Sequence, residues 1–154
     1  MEKHNPKTGA VLLVDDNKAD QTLIMEAFKT LKIANKIILA RNGEEALKYL
    51  KSDEIQPILI LCDINMPEMN GLQLREEIFK DKKLKLKCIP FIFISSDGSE
   101  NIIERAYEYA VQGYFEKAKN FDGTVEMLNT IIKYWKLCKH PNSKLRLLKE
   151  VEVK

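Results

Sequence analysis

Five short apolar runs, each followed by a longer stretch of helical periodicity, confine this chain to a narrow set of folds. The runs span residues 10–14, 36–40, 57–62, 89–94 and 112–115. Such alternation predicts repeated strand-helix units around a parallel sheet, because parallel neighbours need a crossover segment between them. The first, third and fourth runs are almost wholly apolar, as expected of strands covered on both faces. The second and fifth are weaker and belong at edges.

Helical spacing fills the intervals. Ala19, Leu23, Ala27 and Leu31 form the expected buried stripe of a first helix from Lys18 to about Lys32. Asn42-Gly43 precedes a second helix with Glu44 and Glu45 at its positive end, and a third begins near Gly71. Ser99 and Asp122 are the expected caps of the fourth and fifth. Phe121, Val125, Leu128, Ile132 and Trp135 mark the buried stripe of the last helix, widened by Met127, Ile131 and Tyr134. Core burial is the plainer reading of that wide sector; a partner or dimer surface is the sharper one.

One domain accounts for the 154 residues. Its expected limits are 10–137, with residues 1–9 as an N-terminal extension and 138–154 as a C-terminal extension without an independent fold. Net charge is only +2, from 25 basic and 23 acidic side chains, too balanced to make nucleic acid or a membrane the expected partner. Neither a signal-type apolar segment nor a run approaching the roughly 20 residues of a bilayer span is present, so a cytoplasmic protein is expected. Cys62, Cys88 and Cys138 lack metal-ligand spacing and read as reduced structural thiols.

Polar chemistry collects where strands should end. Asp15 and Asp16 follow Ala10-Val11-Leu12-Leu13-Val14, Asp63 follows the third run, and Lys117 follows Tyr114-Phe115-Glu116. The carboxyl ends of parallel strands face one crevice, so these groups should converge. Clustered carboxylates repel by roughly 4 kcal/mol per pair at 4 Å and an effective dielectric of 20, which calls for a cation. Oxygen-only ligands favour Mg2+, held by Asp15 and Asp16 directly or through water, whereas His4 and His140 lack ligand-spaced companions for zinc. Phosphoryl transfer suits such a site, with Asp63 as nucleophile forming an aspartyl phosphate, Lys117 pairing with phosphoryl oxygens and the Ser95 hydroxyl donating to another.

Four ordered blocks now show a resemblance: Val11-Leu12-Leu13-Val14-Asp15-Asp16-Asn17, Asp63-Ile64-Asn65-Met66-Pro67-Glu68-Met69-Asn70-Gly71-Leu72, Phe93-Ile94-Ser95-Ser96 and Gly113-Tyr114-Phe115-Glu116-Lys117. Together they resemble the receiver domains of two-component response regulators over residues 10 to about 136. The resemblance implies a flavodoxin-like (βα)5 three-layer sandwich whose five-stranded parallel sheet has the order 2-1-3-4-5. It further implies that Asp63 is phosphorylated from the phosphohistidine of a sensor histidine kinase or phosphotransfer protein. In that picture the Asn65 backbone carbonyl completes the metal shell. Ser95 turns towards the phosphoryl group, and Tyr114 moves inwards as the switch.

Output would pass to an unknown downstream protein target by protein–protein contact, with a homodimer through the fourth-helix to fifth-helix face as a further option. Such a protein is not a turnover enzyme on an external substrate. Asp20, the lysine-rich connection before the fourth strand and the C-terminal extension make it most similar to stand-alone receivers that partner phytochrome-type sensor kinases. Two departures stand out. Lys117-Ala118 replaces the family's Lys-Pro, leaving a trans bond or a strained cis bond there, and Ser95 replaces the commoner Thr. Asn65 and Asp97 flank the expected path of the hydrolytic water.

A phosphohydrolase with an aspartate nucleophile is the rival from another class. It would need a second acid two residues after Asp63, where Asn65 stands. A flavin carrier fits less well, since Asp15 and Asp16 would repel its phosphate. A non-phosphorylated adaptor is the reading left by Lys117-Ala118.

Overall fold

Strand order in the sheet is β2-β1-β3-β4-β5, all parallel, in a computed structural model that describes residues 8–141. The strands are β1 Thr8–Val14, β2 Ile37–Ala40, β3 Gln56–Cys62, β4 Phe91–Ser95 and β5 Gly113–Glu116. This is the three-layer α/β sandwich expected from the sequence, with the weaker second and fifth runs at the edges. The first strand starts two residues earlier than expected and the fourth two later, so Ser95 is the last residue of β4. Residues 142–154, which hold most of the expected C-terminal extension, and residues 1–7 lie outside the described residues.

The described residues form six helices, five between strands and the last after β5: α1 Lys18–Thr30, α2 Gly43–Lys51, α3 Gly71–Lys80, α4 Lys82–Lys85, α5 Glu100–Glu108 and α6 Phe121–Leu137. The one-turn α4 lies in the lysine-rich connection, so the expected fourth and fifth helices are α5 and α6. Asparagines do most of the capping. Asn17, Asn42, Asn70 and Asn120 each accept a hydrogen bond from a backbone N–H in the first turn, and Asn70 forms a reciprocal pair with Gln73. Asn120, rather than Asp122, therefore caps α6. Ser99 holds the N-cap position of α5 without a side-chain cap bond.

Alternation along the strands divides the core in two. Leu12, Val14, Ile60, Cys62, Phe91 and Phe93 face one layer with Leu50, Leu74, Ile78 and Ala106. Val11, Leu13, Leu59, Leu61, Ile92 and Ile94 face the other with Ile24, Phe28, Leu128 and Ile132. Each fully buried aliphatic or Phe side chain contributes about 1.5–3 kcal/mol, so both layers hold the strand ends in register.

The inward face of α1 differs from the expected stripe. Gln21, Ile24, Ala27 and Phe28 are buried while Ala19 and Leu23 are exposed, because Ile24 and Phe28 bury more apolar surface against the sheet than the predicted line. On α6, Leu128, Ile131 and Ile132 enter the core, whereas Phe121 and Tyr134 are exposed at 36% and 61%. The wide apolar sector is thus part core and part surface. Cys62 is buried but Cys88 is exposed, so the latter does not serve as core packing. Among the described residues no helix is long and apolar enough to cross a membrane.

Candidate phosphoryl-acceptor site

Backbone ladder bonds carry the polar residues past the strand ends in register. The Asp15 N–H donates to the Ala40 carbonyl at 3.0 Å, the Asp63 N–H to the Val14 carbonyl at 2.8 Å, and the Lys117 N–H to the Ser95 carbonyl at 2.9 Å. Asp15 and Asp63 thus sit side by side above adjacent central strands, with Lys117 arriving from β5.

Their side chains converge. Lys117 Nζ lies 3.0 Å from Asp63 Oδ2 and 3.4 Å from Asp15 Oδ2. One carboxylate oxygen from each of Asp15, Asp16 and Asp63 lies within 4.8 Å of the others. Asp15 and Asp63 are buried and Asp16 is exposed, giving a cluster open on one side. Each buried acid has a backbone donor: Asn17 N–H to Asp15 Oδ1 at 2.9 Å, and Ile64 N–H to Asp63 Oδ1 at 2.8 Å.

The electrostatics follow from that crowding. Burial raises the Asp15 carboxyl from 3.8 to about 6; the Asn17 N–H and Lys117 oppose the rise, and the charges of Asp63 and Asp20 add to it. Burial alone would lower the Lys117 ammonium, but the hydrogen bond to Asp20 and the charges of Asp15 and Asp63 outweigh it and hold Lys117 above the usual lysine range. Hard oxygen donors at this spacing suit a divalent cation such as magnesium or manganese, whose octahedral shell with bonds of about 2.1 Å spans about 4 Å. The donor set fits the expected ion.

Ser95 is fully buried at the end of β4, and its Oγ accepts from the Asp97 N–H at 3.2 Å. Tyr114 is half-buried against Phe93, with ring centroids 5.9 Å apart, and its hydroxyl donates to the Asp97 carbonyl. Burial raises the Tyr114 hydroxyl, while a hydrogen bond with Ser95 opposes the rise. Ser95 and Tyr114 are therefore joined through the β4–α5 loop. Asn65 is exposed in the loop two residues after Asp63, and the Lys117-Ala118 bond is trans, there being no cis peptide among the described residues.

Two residues at the site escaped the sequence reading of its chemistry. Asp20 Oδ2 accepts from Lys117 Nζ at 2.6 Å, the shortest of that ammonium's three carboxylate contacts. Gln21 donates from Nε2 to the Asp15 carbonyl at 2.6 Å, which is why a glutamine is buried on α1. The available signal was position: both lie on the first turn of the helix that leaves the Asp15-Asp16 turn.

Comparison with known proteins agrees with this fold. Residues 11–129 match the model of the response regulator receiver domain. Response regulator Rcp1 from Synechocystis sp. is 32% identical over 139 residues, covering 87% of this chain and 92% of its own. Chemotaxis protein CheY1 from Helicobacter pylori is 32% identical over 107 residues, covering 70% of this chain and 83% of its own. Among solved structures, the phosphorylated cyanobacterial phytochrome response regulator RcpA is similar with a TM-score of 0.76 at 32% identity, covering 83% of this chain and 94% of its own. The Mn2+-bound form of Rcp1 has a TM-score of 0.77 at 30% identity, covering 86% and 99%.

Proposed function

Because this chain belongs to the response regulator receiver domain family, a class of phosphoryl-acceptor switches in two-component signalling, we propose that Asp63 is its phosphorylation site. The observation that carries the assignment is the contact between Lys117 Nζ and Asp63 Oδ2 at 3.0 Å, beside an acidic cluster spaced for a divalent ion. Receivers partner sensor histidine kinases, and the likeness to phytochrome response regulators supports a phytochrome-type kinase or an intermediate phosphotransfer protein as donor.

In the transfer, an Asp63 carboxylate oxygen attacks phosphorus as the N–P bond of the donor phosphohistidine breaks. The bonding pair returns to the imidazole nitrogen, which takes up a proton, and the acceptor becomes an acyl phosphate. Lys117 pairs with a phosphoryl oxygen and Ser95 donates its hydroxyl to another. Asp15, Asp16, Asp63 and the Asn65 carbonyl would hold magnesium, which when bound would supply positive charge to the transferring group. The manganese in Rcp1 supports a divalent ion here.

Rotation of Ser95 towards the phosphoryl group breaks its hydrogen bond from the Asp97 N–H, and Tyr114, whose hydroxyl holds the carbonyl of the same Asp97, is the residue that responds. That change remodels the α5–β5–α6 face, so output passes to a protein target or a second copy of the chain. The signalling unit is residues 10–137, with 1–9 and 138–154 as extensions. It works as a switch in the cytoplasm, where kinases draw on ATP, and not as a turnover enzyme on an outside substrate.

Incubation with magnesium and a small acyl phosphate, read by intact mass, tests this reading. The parent protein gains one phosphoryl group and Asp63→Asn gains none. An adduct on Asp63→Asn, or none on the parent, overturns the assignment.

A further inference from the structure

The shortest contact of Lys117 is with a carboxylate outside the acidic cluster. Asp20, on the first turn of α1, accepts from Nζ at 2.6 Å, against 3.0 Å for Asp63 and 3.4 Å for Asp15. Asp15 and Asp63 are also steadied by backbone N–H groups, whereas Asp20 projects from a helix and is 30% exposed. Asp20 is absent from the group of acids spaced to share a metal ion.

We infer that Asp20 is a positioning residue that competes with the phosphoryl group on Asp63 for the Lys117 ammonium, and thereby weakens the phosphorylated state. The inference rests on the roles given above to Asp63 and Lys117. A lysine ammonium is a compact charge on a flexible stem, so one ion must divide itself among the anions around it. Before phosphorylation Asp20 draws Nζ towards α1 and shares it with Asp63. After phosphorylation the Asp20 charge keeps part of that ammonium and repels the added phosphoryl oxygens. An amide of the same shape would do neither. Asp20 thereby tunes how long the signal lasts without touching the phosphoryl group.

Beryllofluoride with magnesium serves as the phosphoryl stand-in, titrated into the full-length parent, Asp20→Asn, Asp20→Glu and Asp63→Asn. Binding by the parent and none by Asp63→Asn upholds the receiver reading independently; a parent that does not bind overturns that reading and this inference with it. Given a parent that binds, Asp20→Asn should bind about tenfold tighter, which is about 1.4 kcal/mol. Asp20→Glu, which restores the charge, should stay within about twofold of the parent, a difference of about 0.4 kcal/mol. Unchanged or weaker binding by Asp20→Asn overturns the inference. Equal tightening in Asp20→Glu also overturns it, since any disturbance of α1 would then suffice. In the unliganded protein the 15N resonance of the Lys117 ammonium should move in Asp20→Asn and remain in place in Asp20→Glu. A resonance that stays in place in Asp20→Asn sinks the idea regardless of affinity.

Discussion

Lys117 Nζ stands 3.0 Å from Asp63 Oδ2, so the ammonium that would later meet a phosphoryl group already neutralises the proposed acceptor. The same ammonium lies 3.4 Å from Asp15, and therefore holds charge that a divalent cation would otherwise supply. Lys117→Met should destabilise the metal-free protein by about 3 kcal/mol, because buried Asp15 and Asp63 lose their counter-charge. It should also tighten magnesium binding, so that saturating magnesium recovers part of the loss. Urea unfolding with and without magnesium measures both effects; weaker metal binding in the variant would contradict the shared-charge account.

Asp16 contributes an exposed carboxylate to the acidic group that excludes Asp20. Asp16→Ala should therefore weaken magnesium binding by about tenfold, or about 1.4 kcal/mol. Little effect on fold stability is expected from an exposed side chain, about 0.5 kcal/mol or less. Isothermal titration with magnesium gives the answer, and parental affinity in Asp16→Ala would remove this residue from the metal site.

Asp15 makes the metal-free protein sensitive to pH. Burial raises its carboxyl from 3.8 to about 6, so between those values the folded chain holds a proton that the unfolded chain has released. Stability contributed by this group is full below about pH 4 and falls as pH rises through 6, by about 3 kcal/mol in total. Asp15→Asn should then be more stable than the metal-free parent at pH 7.5, and the advantage should shrink to about a third of that, about 1 kcal/mol, near pH 4.5. Denaturant titrations at the two pH values check the sign; a constant difference would show that the Asp15 charge is not the cause.

Much of this site was legible because acids and a lysine at strand ends are unlike the apolar runs that carry them. The ladder bonds at Asp15, Asp63 and Lys117 then convert sequence position into spatial convergence. Asp20 was less legible, since an acid in a first helical turn is already explained by the helix dipole. Its role depends on the reach of a side chain from 97 residues away. Gln21 was illegible for a related reason: a polar residue on the buried face is visible only once its partner, the Asp15 carbonyl, is known. The spacing of apolar residues permitted two neighbouring faces on α1, and packing of Ile24 and Phe28 against the sheet selected one.

Arg75 links α3 to the end of α5. It is buried, donates from Nε to the Tyr109 carbonyl at 2.7 Å and from Nη2 to the Ala110 carbonyl at 3.0 Å, and stacks over Phe91 at 5.4 Å. These carbonyls close the helix where Ala110 takes a left-handed φ of 56°. Arg75→Ala should cost about 3 kcal/mol, through two charge-assisted bonds and the carbonyls left without them. Urea midpoints report the loss; a change below about 0.5 kcal/mol would mean that the α5 end is held by other contacts.

Gly71 shows why the loop after Asp63 tolerates no side chain at the start of α3. A Cβ there would lie 2.2 Å from the Asp63 carbonyl oxygen, 2.8 Å from Phe93 Cε1 and 3.0 Å from Ile64 Cα. Two of these are backbone atoms, and the Gly71 N–H is itself tied to the Ile64 carbonyl at 2.9 Å. Relief must therefore come from moving the chain that carries Asp63. Gly71→Ala should lose about 1–3 kcal/mol of stability through overpacking. A shift of about 1 Å in the acceptor can slow transfer about a hundredfold. Gly98 provides the contrast, because its added Cβ would meet Glu116 Oε1 at 2.2 Å, the far end of a flexible side chain. Gly98→Ala should stay within about 0.5 kcal/mol of the parent. Unfolding midpoints and phosphorylation rates with an acyl phosphate distinguish the two positions, and equal behaviour of the two variants would refute the role given to close backbone approach at Asp63.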